Sequence, residues 1–261
     1  MVKCLAVIPA RIGSTRLPAK PLASIQGTPM VRLVYENAVA TELFDEVIVA
    51  TDDERIRDVI TAAGGRAVMT RADHASGTDR VAEVVEKADA EIVVNIQGDL
   101  PFVSHLLLAP LIGTMVSEPA VRMATVAVPI RDRERWLDSN VVKVVTDERD
   151  FALYFSRAPI PARRDGEEAG TGDEPYGLQH VGVYAYRRDF LLRFTSWPPS
   201  RLERLERLEQ LRALERGTKI FVARVSQSVV EVDTAEDLAR ANELALQGEL
   251  SSTDSKGAGE L

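Results

Sequence analysis

This sequence contains one cysteine, three histidines and no apolar run approaching the roughly 20 residues that span a bilayer as a helix. Cys4 has no partner for a disulfide, and the histidines lack the spacing of a zinc site, so a disulfide scaffold and a zinc module are both excluded. Met1-Val2-Lys3 runs directly into strand-like sequence where a signal peptide would carry a longer apolar core. A reducing, cytoplasmic setting with no membrane partner is therefore expected. A net charge of −8 argues against nucleic acid as a partner, because a nucleic-acid-binding surface is ordinarily basic.

A second absence is local. From Met1 to Tyr35 there is no Asp or Glu, yet Lys3, Arg11, Arg16, Lys20 and Arg32 all fall there. An acidic chain with a purely basic first segment has the charge distribution of a local anion site, although chance clustering on a solvated surface gives the same pattern.

Hydrophobic residues make up 45% of 261 residues, enough for a large α/β core. Short β-branched runs alternate with helical patterns: Leu5 to Ile8, Thr28 to Val39, Glu46 to Ala50, Glu54 to Ala63, Ala67 to Met69, Asp79 to Ala88, Ile92 to Ile96 and Ser104 to Val116. This alternation predicts parallel βαβ units and a Rossmann-like, mostly parallel sheet. Thr28 is expected to cap the first helix with Pro29 at its first position, and Gly64-Gly65 to end the next. Between about 123 and 187 the strands lie close together (Met123 to Val128, Val141 to Val145, Ala152 to Phe155, Val181 to Tyr186), which predicts a mixed or antiparallel insertion. Residues 1–247 are read as a single α/β domain and 248–261 as a frayed polar tail. Arg163 to Glu174, rich in Gly, Asp and Glu, reads as a mobile loop, with a lid as the alternative role. Leu202, Leu205, Leu208, Leu211 and Leu214 recur every third residue, predicting one helix covered on several sides, by core or by a dimer contact. A strand from Lys219 to Val225 and a helix from Ala235 to Leu246 complete the pattern.

The chemistry begins after the first strand. Pro9-Ala10-Arg11-Ile12-Gly13-Ser14-Thr15-Arg16-Leu17-Pro18-Ala19-Lys20 follows a buried strand, where ligands of open α/β sheets bind, and combines a glycine, two hydroxyls and three cations. It suits a polyphosphate but is neither a Walker A motif nor a dinucleotide fingerprint. Asn95-Ile96-Gln97-Gly98-Asp99 ends a central strand, and its carboxylate would repel phosphates unless a cation such as Mg²⁺ lay between. Asp233 stands at a second strand-to-helix junction, where helix capping is an equally good account of it. Phosphates with carboxylates point to nucleotidyl transfer by direct displacement. Downstream, Arg157 ends a strand and Gln179-His180 opens another. Arg157 suits a carboxylate, and Gln179, His180, Tyr184, Glu209 and Gln210 suit hydroxyls, although each taken singly is more often structural.

Together the stretches IPARIGSTRLPAKPL, VIVATDDERI, HASGTDRVAEV, NIQGD, NVVKVV, ALYFSRAPIP, QHVGVYAYR, LERLEQLR and VDTAEDL, running in order from residue 8 to about 238, resemble the 3-deoxy-manno-octulosonate cytidylyltransferase (CMP-Kdo synthetase) family. The resemblance implies a nucleotide-diphospho-sugar transferase fold and a homodimer whose interface the insertion forms. It also implies CTP and the acidic sugar Kdo as partners, Mg²⁺ as cofactor, and CMP-Kdo and pyrophosphate as products in lipopolysaccharide synthesis. By motif position it implies Arg11 and Lys20 on the triphosphate, with Ala10, Ser14, Ser76, Gly77, Thr78 and Arg80 around the nucleotide. It further implies Asp99 and Asp233 as metal ligands, Gln97 between nucleotide and sugar, and Arg16, Arg157, Gln179, His180, Tyr184, Glu209 and Gln210 on the sugar. Three positions depart from the family pattern: Leu100 replaces Glu, Ala19 replaces Gly, and Glu231 replaces Gly. A cytidylyltransferase for an amino-substituted Kdo or a nonulosonic acid is the neighbouring alternative. Leu100 motivates a second one, a non-catalytic nucleotide-sugar binder.

Overall fold

The computed structural model describes residues 2–13, 17–162, 174–227 and 229–247; the expectations for Ser14, Arg16, the 163–173 loop and the 248–261 tail lie outside them. The described residues fall into two compact units, one drawn from 1–109 and 229–261, the other from 110–228.

The first unit is built on four parallel strands. β1 (Cys4–Ala10) pairs with β4 (Glu46–Thr51) on one side and β6 (Ile92–Asn95) on the other, and β4 pairs with β5 (Arg66–Met69). β1 and β6 are apolar and buried almost throughout rather than alternating, as parallel strands covered on both faces must be. Helices α1 (Met30–Ala40), α2 (Glu54–Ala62) and α3 (Gly77–Val85) make the crossovers, and α9 (Ala235–Gln247) closes the unit. α4 (His105–Ser117) contains the boundary between the units. Because the strands run parallel, the loops after β1, β4 and β6 leave from one edge of the sheet, with Ala10 beside Thr51 and Asn95 beside Val7.

One helix start differs from expectation. Thr28 and Pro29 form a short strand, β3, antiparallel to β2 (Ser24–Ile25), and α1 begins at Met30 with Pro29 as its N-cap. The intervening Gln26 and Gly27 both adopt positive φ (49° and 82°), which a primed two-residue hairpin turn requires. Asn242 of α9 then accepts the Gln26 N–H at 2.9 Å, so a distant contact favours the hairpin over an earlier helix start.

In the second unit β10 (Gly177–Arg187) pairs antiparallel with both β7 (Met123–Ile130) and β8 (Lys143–Thr146), β8 with β9 (Ala152–Ser156), and β11 (Ile220–Arg224) lies parallel to β7. This is the mixed insertion expected. A bulge between Val181 and Tyr184 shifts the β10 register, and the Thr125 hydroxyl bridges it by donating to the Val183 carbonyl at 2.7 Å. Helices α5 (Arg133–Leu137) and α6 (Arg188–Thr195) flank the strands, and Phe190 and Phe194 of α6 stack on Tyr186 and meet Trp197 edge-on.

The leucine repeat is not one helix. α7 (Arg201–Glu206) stops at Arg207, whose φ of 55° ends the helical path, and α8 (Leu211–Glu215) starts afresh. Leu208 and Leu211 are therefore buried while Leu205 is 67% exposed, and a stripe drifting around a single axis does not exist. Among the described residues no helix is long and apolar enough to cross a membrane.

Candidate active site

At the carboxyl edge of the first unit's sheet lies a cavity of about 290 Å³. Of the residues singled out in sequence, Ala10, Arg11, Lys20, Ser76, Gly77, Arg80, Gln97, Asp99 and Asp233 all line it, together with His74. The loops meet closely. A methyl side chain on Gly77 would stand 3.3 Å from the Pro9 ring, and one on Gly98 would stand 3.1 Å from the Pro9 carbonyl oxygen, so glycine lets the start of α3 and the loop after β6 close on the end of β1.

The electrostatic centre is Lys20. Its ammonium donates to Asp99 Oδ2 at 2.9 Å and to Asp233 Oδ1 at 2.8 Å, with only 13% of the side chain exposed. Burial works against the charge, but Asp99 and then Asp233 outweigh it and raise the lysine pKa above its ordinary value. Asp233 is not the cap of α9. That task belongs to Thr234, whose hydroxyl accepts from the Asp237 N–H while Asp237 Oδ2 accepts from the N–H groups of Asp233 and Thr234. The Asp233 carboxylate is thereby directed to Lys20. The backbone locks the two acidic loops together, the Val232 N–H donating to the Asp99 carbonyl at 3.0 Å.

The remaining wall is the start of α3. Ser76 caps it in a reciprocal box with Asp79, each accepting the other's N–H at 3.1 Å, so the Ser76 hydroxyl is committed to the helix and the positive end of the helix dipole faces the cavity. Gln97 donates to the buried Asn95 Oδ1 at 2.9 Å, which fixes its amide. His74, which the sequence reading passed over, contacts Glu83, and Glu83 also accepts the Arg71 N–H. Burial raises the Glu83 pKa, but the His74 ring and that N–H outweigh it and hold the carboxyl below its ordinary value. Arg80 is 2% exposed and donates to Thr70 Oγ1 and to Asp52 Oδ2, the latter at 3.2 Å. Asp52 was also passed over; a lone Asp after a strand carries no signal by itself.

The two carboxylates that converge on one ammonium are hard oxygen donors, and Mg²⁺ commonly takes only one or two protein carboxylates beside substrate phosphates. The donor set fits that ion. Among the described residues no group of three His, Cys, Asp or Glu is placed to hold a metal ion.

The second unit carries the other set. Gln179 and His180 are neighbours on β10 and point to opposite faces. Gln179 accepts Arg135 Nε at 2.9 Å, and His180 is buried between Phe155 and Tyr184 with Nε2 3.0 Å from the Thr125 hydroxyl. Since that hydroxyl spends its proton on a carbonyl, Nε2 donates. Burial pushes the His180 pKa down to about 3, so the ring is neutral. Arg157 extends from β9 with Nε donating to the Glu206 carbonyl and Nη1 to the Ser139 carbonyl, and Glu206 accepts the Arg157 N–H at 3.0 Å. Lys143, fully buried, donates to three carbonyls including that of Arg157, and burial lowers its pKa. Glu209 and Gln210 lie between α7 and α8; Gln210 is 4% exposed, and its Nε2 is buried with no hydrogen-bond partner among the described residues.

Residues 5–220 match the family model described as cytidylyltransferase. The chain is 49% identical over 238 residues to the 3-deoxy-manno-octulosonate cytidylyltransferase of Syntrophotalea carbinolica, covering 90% of this chain and 95% of that one. It is 47% identical to its counterpart in Geobacter sulfurreducens, covering 89% and 95%. The chain belongs to the 3-deoxy-manno-octulosonate cytidylyltransferase family. Its backbone is also similar to a solved CMP:2-keto-3-deoxy-manno-octonic acid synthetase complexed with CTP, at a TM-score of 0.88 and 43% identity over 94% of this chain and 99% of that one. The fold alone is shared with 4-diphosphocytidyl-2C-methyl-D-erythritol synthase from Anaerococcus prevotii, at a TM-score of 0.61 and 17% identity.

The three departures from the cytidylyltransferase family pattern have different structural outcomes. Leu100 is 2% exposed and absent from the cavity wall, so the position that would hold Glu has been absorbed into the core. Ala19 adopts φ 52°, ψ 34°, the left-handed conformation that explains why glycine is usual there. Glu231 is separated from Asp233 by the fully buried Val232 and does not line the cavity.

Proposed function

We propose that this chain transfers CMP from CTP to Kdo, releasing CMP-Kdo and pyrophosphate in lipopolysaccharide synthesis, as a cytoplasmic homodimer that uses Mg²⁺. The observation that carries the reading is the cavity in which Arg11, Lys20 and the positive end of α3 face the carboxylate pair Asp99 and Asp233. That combination suits a nucleoside triphosphate accompanied by a divalent cation. The structural relative complexed with CTP supports cytidine as the base.

In this reading Ala10, Ser76, Gly77 and Gln97 surround the nucleotide, and Arg80 supports the wall behind it. Arg11 and Lys20 bind the β- and γ-phosphates and stabilise the charge that accumulates on departing pyrophosphate. A hydroxyl oxygen of Kdo forms the new bond to the α-phosphorus, the bond to the bridging oxygen of pyrophosphate breaks, and the hydroxyl proton passes to solvent. Mg²⁺ held by Asp99 and Asp233 would neutralise phosphate charge and lower the pKa of the attacking hydroxyl. On the second unit Arg157 pairs with the sugar carboxylate and Gln179, Tyr184, Glu209 and Gln210 bind hydroxyls. The orphaned Gln210 amide supports a polar ligand there, and His180 shapes that region as a neutral ring. Ser14 and Arg16 keep the nucleotide and sugar roles implied by their motif.

Pyrophosphate release from CTP, measured against a panel of sugar acids, tests the proposal. Turnover with Kdo is expected, and turnover with another acid but none with Kdo overturns it.

A further inference from the structure

Asp52 lies just past the end of β4, outside the cavity wall, and uses both carboxylate oxygens. Oδ1 accepts the backbone N–H of Ile12, next to Arg11, at 3.3 Å, and Oδ2 accepts Arg80 Nη2 at 3.2 Å. The pair is nearly dry, with 3% of the Arg80 and 12% of the Asp52 side chain exposed. Arg80 is anchored in turn on Thr70, itself buried, whose hydroxyl donates to the Thr51 carbonyl at 3.0 Å. The chain of contacts thus runs from the sheet edge through Thr70 and Arg80 to Asp52, and ends on the backbone of the loop that carries Arg11.

We propose that Asp52 is a positioning residue that tethers the Arg11 loop, so that Arg80 acts on the nucleotide through Asp52. Arg80, buried and occupied by Thr70 and Asp52, is placed to orient a carboxylate. The Ile12 N–H donates to that carboxylate a hydrogen bond that fixes the backbone beside Arg11. The tether is two-headed, and only an ionised carboxylate in this place offers a separate oxygen to each donor.

The inference rests on the cavity's being a CTP site, and the experiment separates the two. In Asp52→Asn one acceptor oxygen remains for two donors, and the charged guanidinium takes it as the stronger donor, which releases Ile12. The expected result is an Ile12 amide that exchanges with solvent about tenfold faster, followed by NMR, and a kcat/KM for CTP lowered about tenfold, the loss split between a raised KM and a lowered kcat because Arg11 serves both bound and departing phosphates. Asp52→Ala shows the same split more strongly. Asp53→Ala is the control: Asp53 caps α2 and touches neither Ile12 nor Arg80, so it lowers thermal stability while kcat/KM and Ile12 exchange stay at parent values. A kcat/KM in Asp52→Asn no lower than in Asp53→Ala, or an unchanged Ile12 exchange rate, overturns the tether. Absence of CTP binding by the parent protein overturns the functional reading, and the exchange measurement still judges the tether.

Discussion

Asp99 and Asp233 accept from the same ammonium, that of Lys20, at 2.9 and 2.8 Å. One lysine can serve both only because the Val232 N–H clamps the second loop to the Asp99 carbonyl. Replacing either aspartate with Asn removes charge and keeps shape. Turnover is expected to fall by about two to three orders of magnitude, and Mn²⁺ binding in the presence of a CTP analogue, followed by electron paramagnetic resonance, is expected to weaken in parallel. Turnover at the parent level in both variants contradicts the assignment.

Gly98 faces the carbonyl oxygen of Pro9, a backbone atom held inside the sheet edge that has little room to retreat. Gly98→Ala therefore has to displace one of the two loops. A stability loss of about 1–3 kcal/mol is expected in urea titration, together with a raised KM for CTP.

Ala19 holds a left-handed conformation where glycine carries no steric penalty. Ala19→Gly exchanges that strain, about 1–2 kcal/mol, against the extra flexibility of glycine in the unfolded chain, about 0.4–1 kcal/mol. The sum predicts unchanged or slightly improved thermal stability. Ala19→Val, which keeps the strain and adds β-branching, is expected to lower it.

His180 stays neutral in the fold down to about pH 3, whereas its ordinary value is 6.5. The unfolded chain therefore binds a proton that the folded chain refuses as the pH drops below 6.5. His180 leaves stability untouched above 6.5 and erodes it progressively from there toward 3, by about 1.4 kcal/mol per pH unit. Comparing urea midpoints at pH 7 and pH 5 for the parent and His180→Gln tests this. The variant should lose less on acidification, and equal losses would count against the buried neutral ring.

The βαβ alternation was legible because β1 and β6 are buried on both faces and announce themselves as unbroken apolar runs, Leu5 to Ile8 and Ile92 to Ile96. The cavity residues were legible because the segments that follow β1 and β6 carry charged side chains, and Arg11, Lys20 and Asp99 from those segments line the cavity. Features decided by distant partners were not. Thr28-Pro29 looks like a helix start until Asn242 takes the Gln26 N–H, and the leucine repeat looks like a helix until Arg207 turns left-handed. Asp233 was ambiguous for the same reason: only the structure shows that Thr234 caps and Asp233 does not. Asp52 meets Ile12 and Arg80, and His74 meets Glu83, through contacts that no local pattern encodes.

Lys20 and Asp233 are 213 residues apart in sequence. Val232 and Ala241 likewise complete a small core with Ile25 and Met30 near the other end of the chain. While the protein is being made, its first strands and the basic loop emerge long before the second carboxylate exists. The Lys20–Asp233 pair therefore cannot form until the segment carrying Asp233 has been made, so the cavity gains its second carboxylate only when distant parts of the chain come together.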